Sequence, residues 1–321
     1  MLYPLRFQPL LKRYLWGGRR LQSDLNKTIG EGEDYAESWE IVDHGADQSV
    51  VNNGPLAGTT LSTLVQQHGT ELLGRHHPQA NFPLLFKFLD ANKDLSVQVH
   101  PDDNRAARLQ PPDRGKTEAW IVLAVEDESV IYAGLQRGCD RQTLEQEIER
   151  GSSPLCLHQF QPKPGDCFYL PAGTVHALGK GLLVAEIQQA SNTTYRLYDW
   201  DRLGSDGQPR QLHIDQALDA IDFSQGPIEP QIPTSTDRPG VERLVTSDVF
   251  CLDRLTIDED QRTPVDNRCH IIAVLSGELT IEGDPTGEPL IRGQTALLPA
   301  SPGGLALQAG GRVTLLDAYL P

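Results

Sequence analysis

The 321-residue chain has no surplus of basic residues: 28 Lys and Arg stand against 44 Asp and Glu, a formal charge of −16. Nucleic acid and anionic membranes both demand a basic surface, so neither is expected as a partner. A small anion needs a local cluster of Lys or Arg set against that field. No run of about eighteen apolar residues is present, which excludes a spanning helix. The amino-terminal MLYPLRFQPLLKRYLW lacks a basic start, an apolar core and a small-residue cleavage site, so no signal peptide is read there. Cysteine is sparse and odd in number (Cys139, Cys156, Cys167, Cys251 and Cys269), and no CxxC pair occurs. Free thiols and a cytoplasmic location are the expectation. Aromatics make up only 6% of the chain.

Glycine and proline are abundant, 29 and 23 residues, about a sixth of the chain and a sign of many turns between short strands. Period-two patterning agrees. In LSVQVH, Leu95, Val97 and Val99 face one way, and Ser96, Gln98 and His100 the other. In EAWIVLAV, Glu118 shares a face with Trp120 and Val122, and in VAEIQQ, Glu186 shares one with Gln188. Such polar faces are either solvated or line a polar cavity. Helical spacing is expected in TTLSTLVQQHGTELLG, in QTLEQEIERG ending at Gly151, and in LHIDQALDAIDF. Residues 224–240, with four prolines, read as a linker. A faint repeat relates GDCFYLPAGTVH to GQTALLPASPGG: Gly165 leads to Pro171 as Gly293 leads to Pro299. His176 in the first copy corresponds to Gly304 in the second, so chemistry is expected in one copy only.

Gln98, His100, Glu118 and His176 are the residues most suited to chemistry. Two imidazoles, a carboxylate and an amide oxygen fit a borderline divalent ion with a coordination position left open. Spacing alone favours hydrogen-bonded surface or core histidines over metal ligands. His44, His68, His76, His77, His158, His213 and His270 have no such company and read as surface or packing residues. Trp16, Gly17 and Gly18 read as a structural turn, and Trp39 and Glu40 as packing. GKGLL lacks phosphate-loop spacing, so no nucleotide site is read.

Four strings in order, LSVQVHPDD, GKTEAW, PGDCFYLPAGTVHAL and YRLYDWDR, resemble the type I mannose-6-phosphate isomerases, in their shorter bacterial form. LKRYLWGG, ESWEI and NFPLLFKFLD also fit. The resemblance runs from about residue 5 to about residue 220, and the last 80 or so residues match only loosely. It implies a mainly β fold of two cupin-like jelly-roll domains, with helical insertions in the amino-terminal part. The expected division is residues 1–235, catalytic, and residues 236–321, a degenerate copy without metal ligands.

The resemblance further implies one Zn²⁺ per chain, held by Gln98, His100, Glu118 and His176. It implies catalytic roles for Arg196 and Lys116, and contacts from Ser96, Lys116 and Arg196 to a small sugar-phosphate substrate; the strand pattern adds Glu186 as a catalytic candidate. The reaction is conversion of mannose 6-phosphate to fructose 6-phosphate through a cis-enediol, which needs a base at carbon and stabilisation of charge on two oxygens. The base stays open among Glu186, Asp199, Lys116 and a water on the metal. The alternative is a metal-containing cupin that binds a sugar phosphate without turnover, and a metal-dependent oxygenase is a third reading. Oligomeric state is left open.

Overall fold

The computed structural model describes residues 2–204, 207–301 and 303–321. The chain is mainly β, as expected, and antiparallel throughout its paired strands. A six-stranded sheet runs in the order Cys167–Leu170, Glu118–Val125, Leu182–Gln189, Leu84–Ala91, Tyr35–Ile41, Leu10–Gly18. A five-stranded sheet faces it, in the order Leu157–Phe160, Ile131–Leu135, His176–Leu178, Val97–Val99, Tyr195–Tyr198. Trp120, Val122 and Val184 of the first sheet pack against Ile131, Ala133 and Leu178 of the second, which is the jelly-roll interior.

A second pair follows. Its six-stranded sheet runs Thr234–Ser235, Val241–Thr246, Cys251–Ile257, Val313–Tyr319, His270–Ser276, Thr295–Leu298. Its four-stranded partner runs Gln261–Arg262, Ala306–Ala309, Glu278–Ile281, Leu290–Ile291. The alternation of strand side chains lets each six-stranded sheet bury both faces. Ile121, Ala185 and Ile187 of one meet Leu252, Ile271, Leu316 and Ala318 of the other in one continuous apolar cluster. Leu5 bridges to Leu297, tying the amino-terminal segment to the second pair.

The expected helices are present. Leu61–Leu73 starts at Thr60, whose hydroxyl accepts from Thr63 N (3.2 Å), and buries Leu61, Leu64, Val65 and Leu72. Arg141–Glu149 and Ile214–Ala220 lay Leu144, Ala217 and Leu218 over the outer face of the five-stranded sheet, against Val97, Val99 and Leu197. The proline-rich residues 224–240 act as a strap, not a free tether. Ile228 N donates to Ala133 O (3.0 Å) on one sheet and Gln231 N to Cys167 O (2.7 Å) on the other. The sequence repeat is a true structural repeat: Gly165 and Gly293 turn with φ +94° and +84°, a region open to glycine, into matching edge strands. No helix among the described residues is long and apolar enough to cross a membrane.

Candidate active site

The cluster converges because neighbouring strands of the five-stranded sheet bring both histidines to one end of the barrel and the facing sheet brings Glu118. On Val97–Val99, Val97 and Val99 bury outward under the helices, so Gln98 points into the barrel. His176 opens the neighbouring strand and pairs with Gln98 in register. Glu118 opens its strand on the opposite sheet, paired with Gln188 and Leu170. His100 Nε2 lies 3.5 Å from Glu118 Oε2, and His176 Nε2 lies 3.3 Å from Glu118 Oε1. All three residues are about 1% exposed.

Backbone carbonyls set both imidazoles. His100 Nδ1 donates to Thr193 O and His176 Nδ1 to Thr174 O, each at 2.9 Å. Both Nε2 lone pairs therefore face Glu118. Burial, with the Lys116 charge adding to it, pushes His176 down to about 3 and His100 well below the usual histidine value, so both rings stay neutral. Neither Glu118 oxygen has an aligned hydrogen-bond donor, although Lys116 Nζ comes within 2.7 Å of Oε2. Two inward lone pairs and a buried, underbonded carboxylate, with the ligand atoms all within 4.8 Å of one another, fit a divalent cation.

The Gln98 amide turns Nε2 to His176 Nε2 (3.3 Å) and Oε1 to Ser96 Oγ (3.5 Å). A half-turn of that amide would bring its oxygen to the cluster. Lys116 Nζ also lies 3.1 Å from His100 Nε2 and 3.7 Å from Glu186 Oε1. The ammonium thus sits among the same acceptors that a metal would use.

A cleft of about 310 Å³ opens over this cluster, with Ser96, Gln98, Lys116, Glu186 and Arg196 in its lining. The expected ligands and the expected Ser96, Lys116, Glu186 and Arg196 therefore lie in it or directly beneath it. Trp120 Nε1 donates to Glu186 Oε2 (3.1 Å), while Glu186 Oε1 is buried without a hydrogen-bond donor. Burial and then the Glu118 charge raise the Glu186 carboxyl. Arg196 gives NH1 to Gln211 O (2.8 Å), its Nε is unpartnered, and burial with Arg210 nearby lowers its pKa.

Asp199 is not in the lining. Arg202 holds it at 2.6 Å and Arg210 at 2.7 and 2.5 Å, and these bonds keep its carboxyl low despite burial. Trp16 lines the cleft as well as packing, which extends its purely structural reading. Glu40 points away, to Lys27 at 2.6 Å.

Three charged residues in the lining, Glu37, Lys87 and Arg210, were missed from sequence. Lys87 Nζ lies 3.2 Å from Glu37 Oε1 and 3.4 Å from Glu186 Oε1, and Trp39 Nε1 donates to Glu37 Oε2 (2.5 Å). The signal was available: LLFKFLDA sets one lysine inside a strand buried at all eight positions. Arg210, in an irregular segment, carried none.

Two facing sheets enclosing a His–Glu–His centre beneath a polar cleft define a cupin-type barrel with a metal-binding constellation. A profile of the type I phosphomannose isomerase catalytic domain matches residues 4–119. The mannose-6-phosphate isomerase ManA of Bacillus subtilis is 36% identical over 95% of this chain and 96% of its own. That of Streptococcus mutans is 36% identical over 93% of each. A crystal structure of the mannose 6-phosphate isomerase from Bacillus subtilis superposes with a TM-score of 0.90 at 32% identity, covering 99% of this chain and 100% of that one. The chain belongs to the type I phosphomannose isomerase family, and it is an isomerase.

Proposed function

We propose that the chain interconverts mannose 6-phosphate and fructose 6-phosphate through a cis-enediol, with Zn²⁺ held by His100, Glu118 and His176 and by Gln98 after its amide turns. The observation that carries this is the Glu118 carboxylate, buried and underbonded between two Nε2 lone pairs at the floor of a cleft that also holds Glu186, Lys116 and Arg196. Zinc there supplies Lewis-acid polarisation of the substrate oxygens at C1 and C2.

The protein groups do the rest. Glu186 moves the proton between C1 and C2: its Oε1 has no aligned hydrogen-bond donor, and burial and the Glu118 charge raise its pKa. Asp199 is excluded as the base by its two arginine partners. Lys116 stabilises negative charge on the enediol oxygens from beside Glu118. Arg196, with its unpartnered Nε, and Arg210 take the phosphate, and Ser96 donates to it from the same wall. Five free cysteines fit the reducing cytoplasm, where we place the enzyme.

The test is a coupled assay for fructose 6-phosphate, run with metal analysis before and after chelation. His176→Ala is expected to lose both metal and turnover, and Arg196→Ala to keep the metal and lose at least tenfold in turnover. Bound metal with no turnover in the wild-type protein would favour the non-catalytic sugar-phosphate-binding reading. Iron instead of zinc would reopen the oxygenase one.

A further inference from the structure

The second six-stranded sheet repeats the order of the first. Cys167–Leu170, Glu118–Val125, Leu182–Gln189, Leu84–Ala91 and Tyr35–Ile41 correspond in order to Thr295–Leu298, His270–Ser276, Val313–Tyr319, Cys251–Ile257 and Val241–Thr246. Register carries the correspondence to single residues. Leu170 and Gln188 flank Glu118 as Leu298 and Tyr319 flank His270. Glu186 pairs with Lys87 and Lys87 with Trp39; Asp317 pairs with Asp253 and Asp253 with Arg243. The inner-face positions of Glu118, Glu186 and Lys87 are therefore occupied by His270, Asp317 and Asp253.

These groups are buried, at 2%, 1% and 3% exposure, at one end of an otherwise apolar barrel. Apolar residues would fill such positions at lower cost, so buried charge there points to a site. A cavity of about 300 Å³ opens beside them, lined in part by Arg238, Arg243, Arg268, Asp253, Asp266 and Tyr319. Its acids are already matched to donors. His270 lies between Asp317 Oδ1 (2.7 Å) and Asp266 Oδ1 (3.3 Å), and Asp253 accepts from Arg243 and from the Tyr319 hydroxyl (3.0 Å).

Arg243 is matched: its Nε and NH2 reach Asp253, NH2 also the Tyr319 hydroxyl (2.6 Å), and NH1 Thr246 Oγ1 (3.1 Å). Arg268 and Arg238 are matched less fully. Arg268 NH1 donates to Leu320 O (3.1 Å), while its Nε is buried 3.5 Å from Asp266 Oδ2 without an aligned hydrogen bond. Arg238 NH2 donates to Arg262 O (3.1 Å), so most N–H groups of these two forks are left over. Arg243 and Arg268 both lie over the Tyr319 ring, at 5.8 and 5.2 Å, which fixes two planar forks beside the cavity. A surplus of fixed donors calls for an acceptor-only ligand, and guanidinium forks match phosphate oxygens.

We propose that this end of the second sheet pair is a second ligand site, which takes the phosphate group of a small molecule on Arg268 and Arg238, with Arg243 fixing the wall beside them. It stands at the place that the catalytic floor occupies in the first pair, and it is separate from the isomerase cleft.

The test is calorimetric titration of the metal-loaded full chain with inorganic phosphate, and in parallel with glycerol phosphate. Arg268→Ala is expected to remove one bound phosphate per chain, or to weaken it at least tenfold, while mannose 6-phosphate turnover stays within twofold of wild type. A tighter fit to glycerol phosphate identifies an ester ligand, and equal binding identifies free phosphate. If Arg268→Ala does not fold, Arg238→Ala decides, because Arg238 bonds only a backbone carbonyl at the surface. Unchanged phosphate stoichiometry and affinity in either folded variant overturns the proposal. A change confined to Arg196→Ala would also overturn it, and would assign all phosphate binding to the first cleft.

Discussion

Lys87 offers the sharpest test of how the cleft floor is held together. Its ammonium is buried between Glu37 and Glu186, 3.2 and 3.4 Å away. Burial opposes the charge, but the two carboxylates, Glu186 first, outweigh it and raise the lysine pKa. At an effective dielectric of about 20, each attraction is worth about 5 kcal/mol before desolvation is subtracted. Removing one member of such a buried group costs about 3–5 kcal/mol, because its partners are left uncompensated. Lys87→Met, which keeps the stem and drops the charge, should therefore lower unfolding stability by that amount in urea titrations. Glu186 answers by taking up a proton. A carboxyl whose folded pKa lies above its unfolded value loses stability as pH rises between the two. The variant should thus be less destabilised at pH 5.5 than at pH 8, and Glu186→Gln in the same chain should restore part of the loss. A loss below about 1 kcal/mol, equal at both pH values, would refute the compensation argument.

Two further predictions follow from the imidazoles and their supports. His176 is held near 3 in the folded protein against an ordinary value of 6.5, so the chelated protein should lose stability as pH falls from 6.5 toward 3, by up to about 1.4 kcal/mol per unit. His176→Gln should flatten that part of the urea-midpoint profile, and an unchanged slope would show that the ring titrates freely. Asp113 accepts from Thr193 Oγ1 (2.6 Å), Ser191 Oγ (3.0 Å) and His44 Nε2 (3.0 Å), and so fixes the loop whose Thr193 carbonyl orients His100. Asp113→Asn is expected to weaken metal binding by about tenfold in a chelator competition, with the fold retained. Unaltered metal affinity would remove Asp113 from the support of the site.

Where strand alternation was clean, the sequence was readable to the level of side-chain direction. Val97 and Val99 bury outward and Gln98 inward, and Glu118 and Glu186 share the inner face, as period two requires. The helix over residues 61–73 was legible from its apolar spacing and its stop at Gly74. What one sequence did not yield was pairing across distance. Nothing local says that Arg210 reaches Asp199, or that residues 224–240 bond to both sheets. Lys87 was overlooked for a different reason: a lysine in an apolar run looks like an interruption until Glu37 and Glu186 are seen on the strands to either side.

His270 shows the same limit from the opposite side. Alone in CHIIAVLS it reads as a surface or packing histidine; it is buried, and the structure adds its partners: Asp317 and Asp266 lie against its two ring nitrogens, and their charges hold it protonated, up to about 9, against the pull of burial. The two six-stranded sheets differ in the charge of their inner faces while sharing strand order. Each keeps polar residues on the inner face of its central strands, where strand order and register are the same. In the first pair, neutral imidazoles and an underbonded carboxylate leave lone pairs free for a cation. In the second, a protonated imidazole takes up Asp317 and Asp266, Arg243 takes up Asp253, and donors of Arg268 are left over instead. The sign of the ligand each end can take is set by which half of the buried pairing remains unmatched.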